Sequence, residues 1–142
     1  MKTPNSLLVL FALIAQVFGS RLFDRCLLAN ELIRFEVPKE QLARWICIAE
    51  RESSFRTDAV GRTNLDGSND YGIFQINSRY WCQPDNGSLS FNECRVSCNA
   101  LLTDDISESL QCALYILRRQ GWQSWSTWQY CNETLPSVDE CF

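Results

Sequence analysis

The apolar positions first fall into register at a helical period. Leu28, Leu32 and Phe35 recur at steps of four and three residues, which predicts a helix that ends before Pro38. Pro38 suits the first turn of a second helix, where a missing backbone N–H costs nothing. Within that second helix Leu42, Trp45, Ile46 and Ala49 form one buried stripe. A third helix is expected from Thr103 as N-cap, with Asp104 and Asp105 in its first turn complementing the helix dipole. Its apolar face is Ile106, Leu110, Ala113, Leu114 and Leu117, and Gly121 supplies a stop. Between the second and third helices the period changes. Residues 61–70 are rich in Gly, Asn, Asp, Ser and Thr, with Asp66-Gly67 a strong turn signal, and Tyr71 to Ile76 then reads as a strand. The pattern predicts an α+β domain, mainly helical with a small antiparallel sheet, and a cleft between the two lobes.

The first twenty residues have a different character. Lys2 precedes an apolar run from Leu7 to Phe18, broken by Gln16 and followed by Gly19 and Ser20. That is the pattern of a secretory signal peptide, and the run is too short to span a bilayer. Cleavage is expected after residue 19 or 20, leaving residues 21–142 as one domain of a secreted, extracellular protein. Its removal deletes one basic residue and no acid, taking the formal net charge from −4 to −5.

Composition then narrows the chemistry. The chain contains no histidine, so it holds neither a Ser-His-Asp nor a Cys-His nucleophile system, nor an imidazole metal site. An acidic balance of 17 Asp and Glu against 13 Lys and Arg argues against nucleic acid or an anionic membrane as partner. In a secreted chain the eight cysteines read as four disulfides, although spacing does not choose their pairing. Hydrolytic chemistry must therefore rest on carboxylates.

Two carboxylates stand out by position. Glu52 lies three residues beyond Ala49, at the edge of the apolar stripe near the end of the second helix. Burial against apolar neighbours disfavours its charged form and keeps it protonated. Glu50 borders the opposite edge of the same stripe, so periodicity alone does not separate the two. Asp70 ends the polar turn beside Asn69, where hydrogen bonding favours the ionised form. One protonated and one ionised carboxylate across a cleft is the minimum equipment of a glycoside hydrolase.

These residues also carry a family resemblance. The run Cys47 through Phe55 with Glu52-Ser53, the stretch Asp66 through Arg79, and Cys94-Arg-Val-Ser-Cys98 with Asn-Ala-Leu-Leu resemble conventional (C-type) lysozymes, most of all those of insects. The resemblance covers residues 21–142 and implies retaining hydrolysis of β-1,4 bonds between N-acetylmuramic acid and N-acetylglucosamine in bacterial peptidoglycan. It places the acid at Glu52 and the nucleophilic or charge-stabilising carboxylate at Asp70. It implies the pairs Cys26–Cys141, Cys47–Cys131, Cys82–Cys98 and Cys94–Cys112. Trp125 matches the tryptophan that packs near the acid, while Tyr80 and Trp81 match sugar-contacting positions. Beside polar Ser78 and Arg79, both Tyr80 and Trp81 are expected to be exposed enough to carry a sugar ring. Gln75 and Asn77 are candidates to orient Asp70 or an acetamido group, and Trp45, Trp122 and Trp128 are assigned to the core.

The match has departures. Tyrosine replaces the usual tryptophan at position 80, one extra residue separates Glu52 from Asp70 relative to vertebrate members, and the segments Cys112–Trp125 and Trp128–Cys131 are each one residue shorter. The α-lactalbumin branch offers the alternative of a non-catalytic binding protein on the same scaffold. That branch lacks the matching catalytic pair and carries a calcium loop. Where calcium-binding members place aspartates, this chain has Thr103, Glu108 and Ser109, so neither metal nor cofactor is expected. The expected partner is peptidoglycan or a chitooligosaccharide, met by a monomer serving an antibacterial or digestive role.

Overall fold

The computed structural model describes residues 23–142, so the leader expected over 1–20 lies outside the described residues. Helix α1 (Arg25–Arg34) is capped by Asp24, whose carboxylate accepts from the Leu27 N–H at 2.7 Å. Its Leu28 and Leu32 are fully buried. Pro38 sits immediately before helix α2 (Lys39–Ser53), whose stripe Leu42, Trp45, Ile46 and Ala49 enters the core as the periodicity requires. Ser54 and Phe55, at φ 52° and 63°, turn the chain out of that helix.

The β region departs from the expected single strand. Strands β1 (Asp70–Tyr71) and β2 (Ile76–Asn77) pair antiparallel, with Asp70 opposite Asn77 and Tyr71 opposite Ile76. A hairpin turn separates them, because Gly72 and Gln75 take φ of 74° and 48°. Ile73 and Phe74, both fully buried, lie in that turn and pair with no strand. Val60 adds an antiparallel bridge to Tyr71, completing a three-ply edge.

The third helix also begins later than expected. A 3₁₀ helix over Cys98–Leu102 precedes it, and Thr103 terminates that turn instead of capping α3 (Ser107–Gln120). One long-range and one local bond account for the shift. The Thr57 hydroxyl donates to Asp104 at 3.2 Å, and the Asp105 carboxylate accepts from the Ser107 N–H at 2.9 Å, a competing local turn. Of the expected apolar face, Ile106, Leu110 and Ala113 are buried together with Ile116, while Leu114 and Leu117 are only half-buried. Gly121 ends the helix at φ 80°.

Disulfides join Cys26 to Cys141, Cys47 to Cys131, Cys82 to Cys98 and Cys94 to Cys112. The first two close loops of 115 and 84 residues, and the last two staple the stretch between the hairpin and α3. The aromatic centre of the core is Trp45, which meets Phe74 and Trp125 edge-on at 5.3 and 5.2 Å. Trp122 and Trp128 are half-buried at the edge of the core, Trp122 packing on Trp45 at 4.8 Å; the two stack at 5.8 Å and carry the Arg44 guanidinium over their faces.

Gly72 is where the lobes meet most tightly. A Cβ built there would collide with the Leu101 carbonyl oxygen, and the backbone is left-handed as well. Gly72→Ala should therefore destabilise the fold by at least about 2 kcal/mol in urea unfolding. Gly67→Ala, with φ 84° and open space around it, should lose only the backbone preference, about 1 kcal/mol. Equal losses at the two glycines would show that the close approach to Leu101 has no energetic weight.

Candidate active site

One cleft of about 640 Å³ runs between the helices and the hairpin, and Glu52, Asp70, Gln75, Asn77, Tyr80, Trp81 and Trp125 all line it. Glu52 is the penultimate residue of α2, half-buried at the cleft wall. The Thr127 hydroxyl donates to its Oε1 at 2.7 Å. Its pKa is raised: burial disfavours the carboxylate most, and the negative charge of Asp70 adds to this, while hydrogen bonds from Thr127 pull the other way. Glu50, the other edge residue of the stripe, is exposed and stands away from the cleft lining.

Asp70 faces the same space from β1. The Asn77 amide donates to its Oδ1 at 2.9 Å, directly across the strand pair, and Asn64 donates to its Oδ2 at 3.4 Å. Both amides also donate to the Ser68 hydroxyl oxygen, at 2.9 and 3.1 Å, so the two side chains that hold the carboxylate share one anchor. Asn77 is itself fixed, its Oδ1 accepting from the Arg79 N–H at 2.9 Å.

The remaining predicted residues divide. Gln75 lines the cleft, but its amide donates to the carbonyls of Ala59 and Gly72 at 3.1 and 3.0 Å, so it braces the hairpin turn instead of orienting Asp70. Trp81 is only 6% exposed, packed edge-on against Tyr115 at 6.3 Å, which corrects the expectation of an open platform. Its neighbour Tyr80 is 46% exposed and does present a ring. Trp125 is buried, and its indole N–H donates to the Phe74 carbonyl at 3.0 Å, locking the second lobe to the hairpin turn.

Thr127, Asn64 and Ser68 are parts of the site that sequence reasoning passed over. Thr127 lies 75 residues from Glu52 and has no local signal; Asn64 and Ser68 sit in the turn-rich stretch, where their composition reads only as loop. Among the described residues no group of three or more His, Cys, Asp or Glu side chains could hold a metal ion, and no helix is long and apolar enough to cross a membrane.

A family model for the C-type lysozyme/alpha-lactalbumin family matches residues 21–141. The chain belongs to that family. It is 60% identical to Lysozyme D of Drosophila melanogaster over 135 residues, covering 95% of this chain and 96% of that one. Identity to Lysozyme 1 of Musca domestica is 57% over the full length of both. Among solved structures, lysozyme from Equus asinus superposes with a TM-score of 0.74 at 39% identity, covering 80% of this chain and 92% of that one. The helices, hairpin and cleft described above are thus the lysozyme fold.

The Thr127 bond makes a separable prediction. Thr127→Val removes a donor that favours the Glu52 carboxylate, so the Glu52 pKa should rise further and the alkaline limb of activity should move to higher pH. Asp70→Asn removes a like charge and should lower the Glu52 pKa. NMR titration of Glu52 in both variants checks the two opposite signs; shifts in one common direction would contradict the assigned causes.

Proposed function

We propose that Glu52 and Asp70 perform the lysozyme reaction of this chain as acid and counter-carboxylate, cleaving β-1,4 bonds between N-acetylmuramic acid and N-acetylglucosamine in bacterial peptidoglycan. The observation that carries this reading is the contrast between two carboxyls on one cleft. Burial and a like charge push the pKa of Glu52 up, whereas two amide donors aim at Asp70. C-type lysozymes are the type case of this division of labour.

Protonated Glu52 gives its proton to the leaving glycosidic oxygen while Asp70 covers the opposite face of the oxocarbenium-like centre. Collapse onto Asp70 inverts the anomeric carbon and forms a glycosyl ester, whose bond the attacking water breaks with a second inversion, so configuration is retained overall. Glu52, now ionised, accepts a proton from water as that water attacks, and the site returns to its starting state. Thr127 steadies Glu52 in its ionised phase. Asn77 and Asn64 keep the Asp70 oxygens turned toward the cleft. Tyr80 and the edge of Trp81 supply surface for the sugars. With both carboxylates on one cleft, no observation favours the non-catalytic branch.

The same reading makes residues 1–20 a leader that is removed on export. Four disulfides suit an oxidising extracellular compartment. The active form is taken as a monomer, since the cleft is assembled within one chain.

Glu52→Gln should lower lysis of bacterial cell walls by about 10³-fold with the fold retained, because the amide keeps the shape and cannot deliver the proton. Glu50→Gln should lyse near the wild-type rate, and similar losses from both would overturn the assignment. A second outcome follows from the net charge of −5 left once residues 1–20 are removed. Whole bacteria are anionic, so repulsion should hold back activity on cells at neutral pH and low salt, relieved by acid or by screening over about 8 Å at physiological ionic strength. A neutral chitooligosaccharide should not share that salt response. One common neutral optimum with equal salt dependence would remove charge from the account.

A further inference from the structure

Just outside the cleft the surface carries large apolar side chains with nothing packed over them. Phe91 is 71% exposed and Leu89 92% exposed, on the segment that passes beside Tyr80. The Phe91 ring stacks on Tyr80 with centroids 5.9 Å apart and planes only 9° from parallel. At that separation and tilt the rings are offset, so together they present one broad aromatic ledge in place of two opposed faces. Tyr80 lines the cleft and Phe91 does not, so the ledge begins inside the substrate channel and continues beyond its rim.

The backbone holds the pair in place. The Phe91 N–H donates to the Arg79 carbonyl at 2.8 Å, and the Glu93 N–H donates to the Tyr80 carbonyl at 3.0 Å, so the two segments run bonded side by side. The Ser90 hydroxyl donates to the Cys82 carbonyl at 2.7 Å and accepts from the Asn92 N–H at 3.0 Å. Asn92, at φ 44°, keeps the turn that lifts Phe91 to the surface. An exposed phenylalanine held this firmly loses little conformational freedom when it meets a ligand, which is the condition under which an aromatic contact contributes most to binding.

We infer that Phe91 is a specificity-determining residue that extends the saccharide-binding surface past Tyr80, taking the sugar unit that follows the one resting on the Tyr80 ring. The inference rests on the glycan-cleaving function proposed above. A flat pyranose face of C–H groups matches a flat aromatic face, and a polymer leaving the cleft over Tyr80 meets next a Phe91 ring inclined to the first by only 9°. The occupant is therefore the continuing glycan strand, not a second copy of this chain, and the ledge favours long substrates over short ones.

The test is a length series of chitooligosaccharides from dimer to hexamer, bound to the Glu52→Gln protein so that the longer members stay intact. Adding Phe91→Ala should leave the ratio of affinities near one for the dimer and weaken the hexamer by about five- to tenfold. Phe91→Tyr, which keeps the flat face, should restore hexamer binding. A loss of the same size at every length would reduce Phe91 to a prop for Tyr80, and no loss at any length would leave the ledge without a ligand; either overturns the inference. In the Tyr80→Ala background a hexamer effect of Phe91→Ala that persists marks direct contact with the sugar, and one that vanishes would reduce Phe91 to a support for Tyr80 and overturn the inference. Failure of the function itself reads out separately, as absence of cell-wall and hexamer cleavage by the unsubstituted protein.

Discussion

Two adjacent carbonyls in the hairpin turn hold the site together. The Ile73 carbonyl accepts from the Ser53 hydroxyl at 2.8 Å and the Phe74 carbonyl accepts from the Trp125 indole at 3.0 Å. Ser53 is the residue after Glu52, Trp125 lies two before Thr127, and Ile73 follows Asp70 by three. The carboxyl on the helix, the hydroxyl that steadies it and the carboxyl on the strand are thus each within three residues of one buried clamp. Leaving either carbonyl or its donor unsatisfied in the core costs about 1–3 kcal/mol. The same loss would let the two carboxyls drift relative to each other.

Covalent links reinforce that clamp where the chain is otherwise weakest. Strands of two residues each contribute few ladder bonds, so the hairpin lobe has little β structure of its own. Cys82–Cys98 and Cys94–Cys112 supply what the sheet lacks by closing short loops next to it. Cys47–Cys131 acts on the other side. Cys47 is five residues before Glu52 on α2, and Cys131 is four after Thr127, so that bridge returns the distant segment to the helix it must hydrogen-bond. A domain of this size gains from such links because each removes loop entropy from the unfolded chain.

Legibility in the sequence followed the range of the forces involved. The α2 stripe was readable because burial repeats every third or fourth residue, and the edge position of Glu52 came with it. The Asn77 contact with Asp70 was within reach, because both side chains belong to one short polar stretch. Tyr71 to Ile76 was misread as continuous strand: aromatic and β-branched residues there meet the core through a turn, not a pleat. The start of α3 was misplaced because Asp104 and Asp105 look like first-turn acids, yet Thr57 and Ser107 bind them outside the helix. Trp81 was taken for exposed from its polar neighbours, while Tyr115 across the fold covers it. Thr57 and Tyr115 are partners whose positions only the tertiary structure supplies, whereas the Asp105–Ser107 turn and the turn at Gly72 are local features that compete with the expected elements.

The partner that tunes Glu52 also limits how far its proton affinity can rise. A carboxyl with a raised pKa binds its proton more tightly in the folded chain than in the unfolded one. Its contribution to stability is therefore intact below the ordinary carboxylate range and is lost as pH climbs through the raised value. Deeper burial would keep Glu52 protonated to higher pH but make it a weaker acid and enlarge that loss. It would also hinder the second half of the reaction, in which the ionised side chain must persist long enough to activate water. The Thr127 hydroxyl answers both demands, since it stabilises the carboxylate form without letting bulk water into the wall. Asp70 acts in the opposite sense, because its charge makes Glu52 a better proton holder only while Asp70 is itself ionised. The charge of Asp70 thus adds to burial in keeping the proton on Glu52, and the Thr127 hydroxyl sets the limit to both.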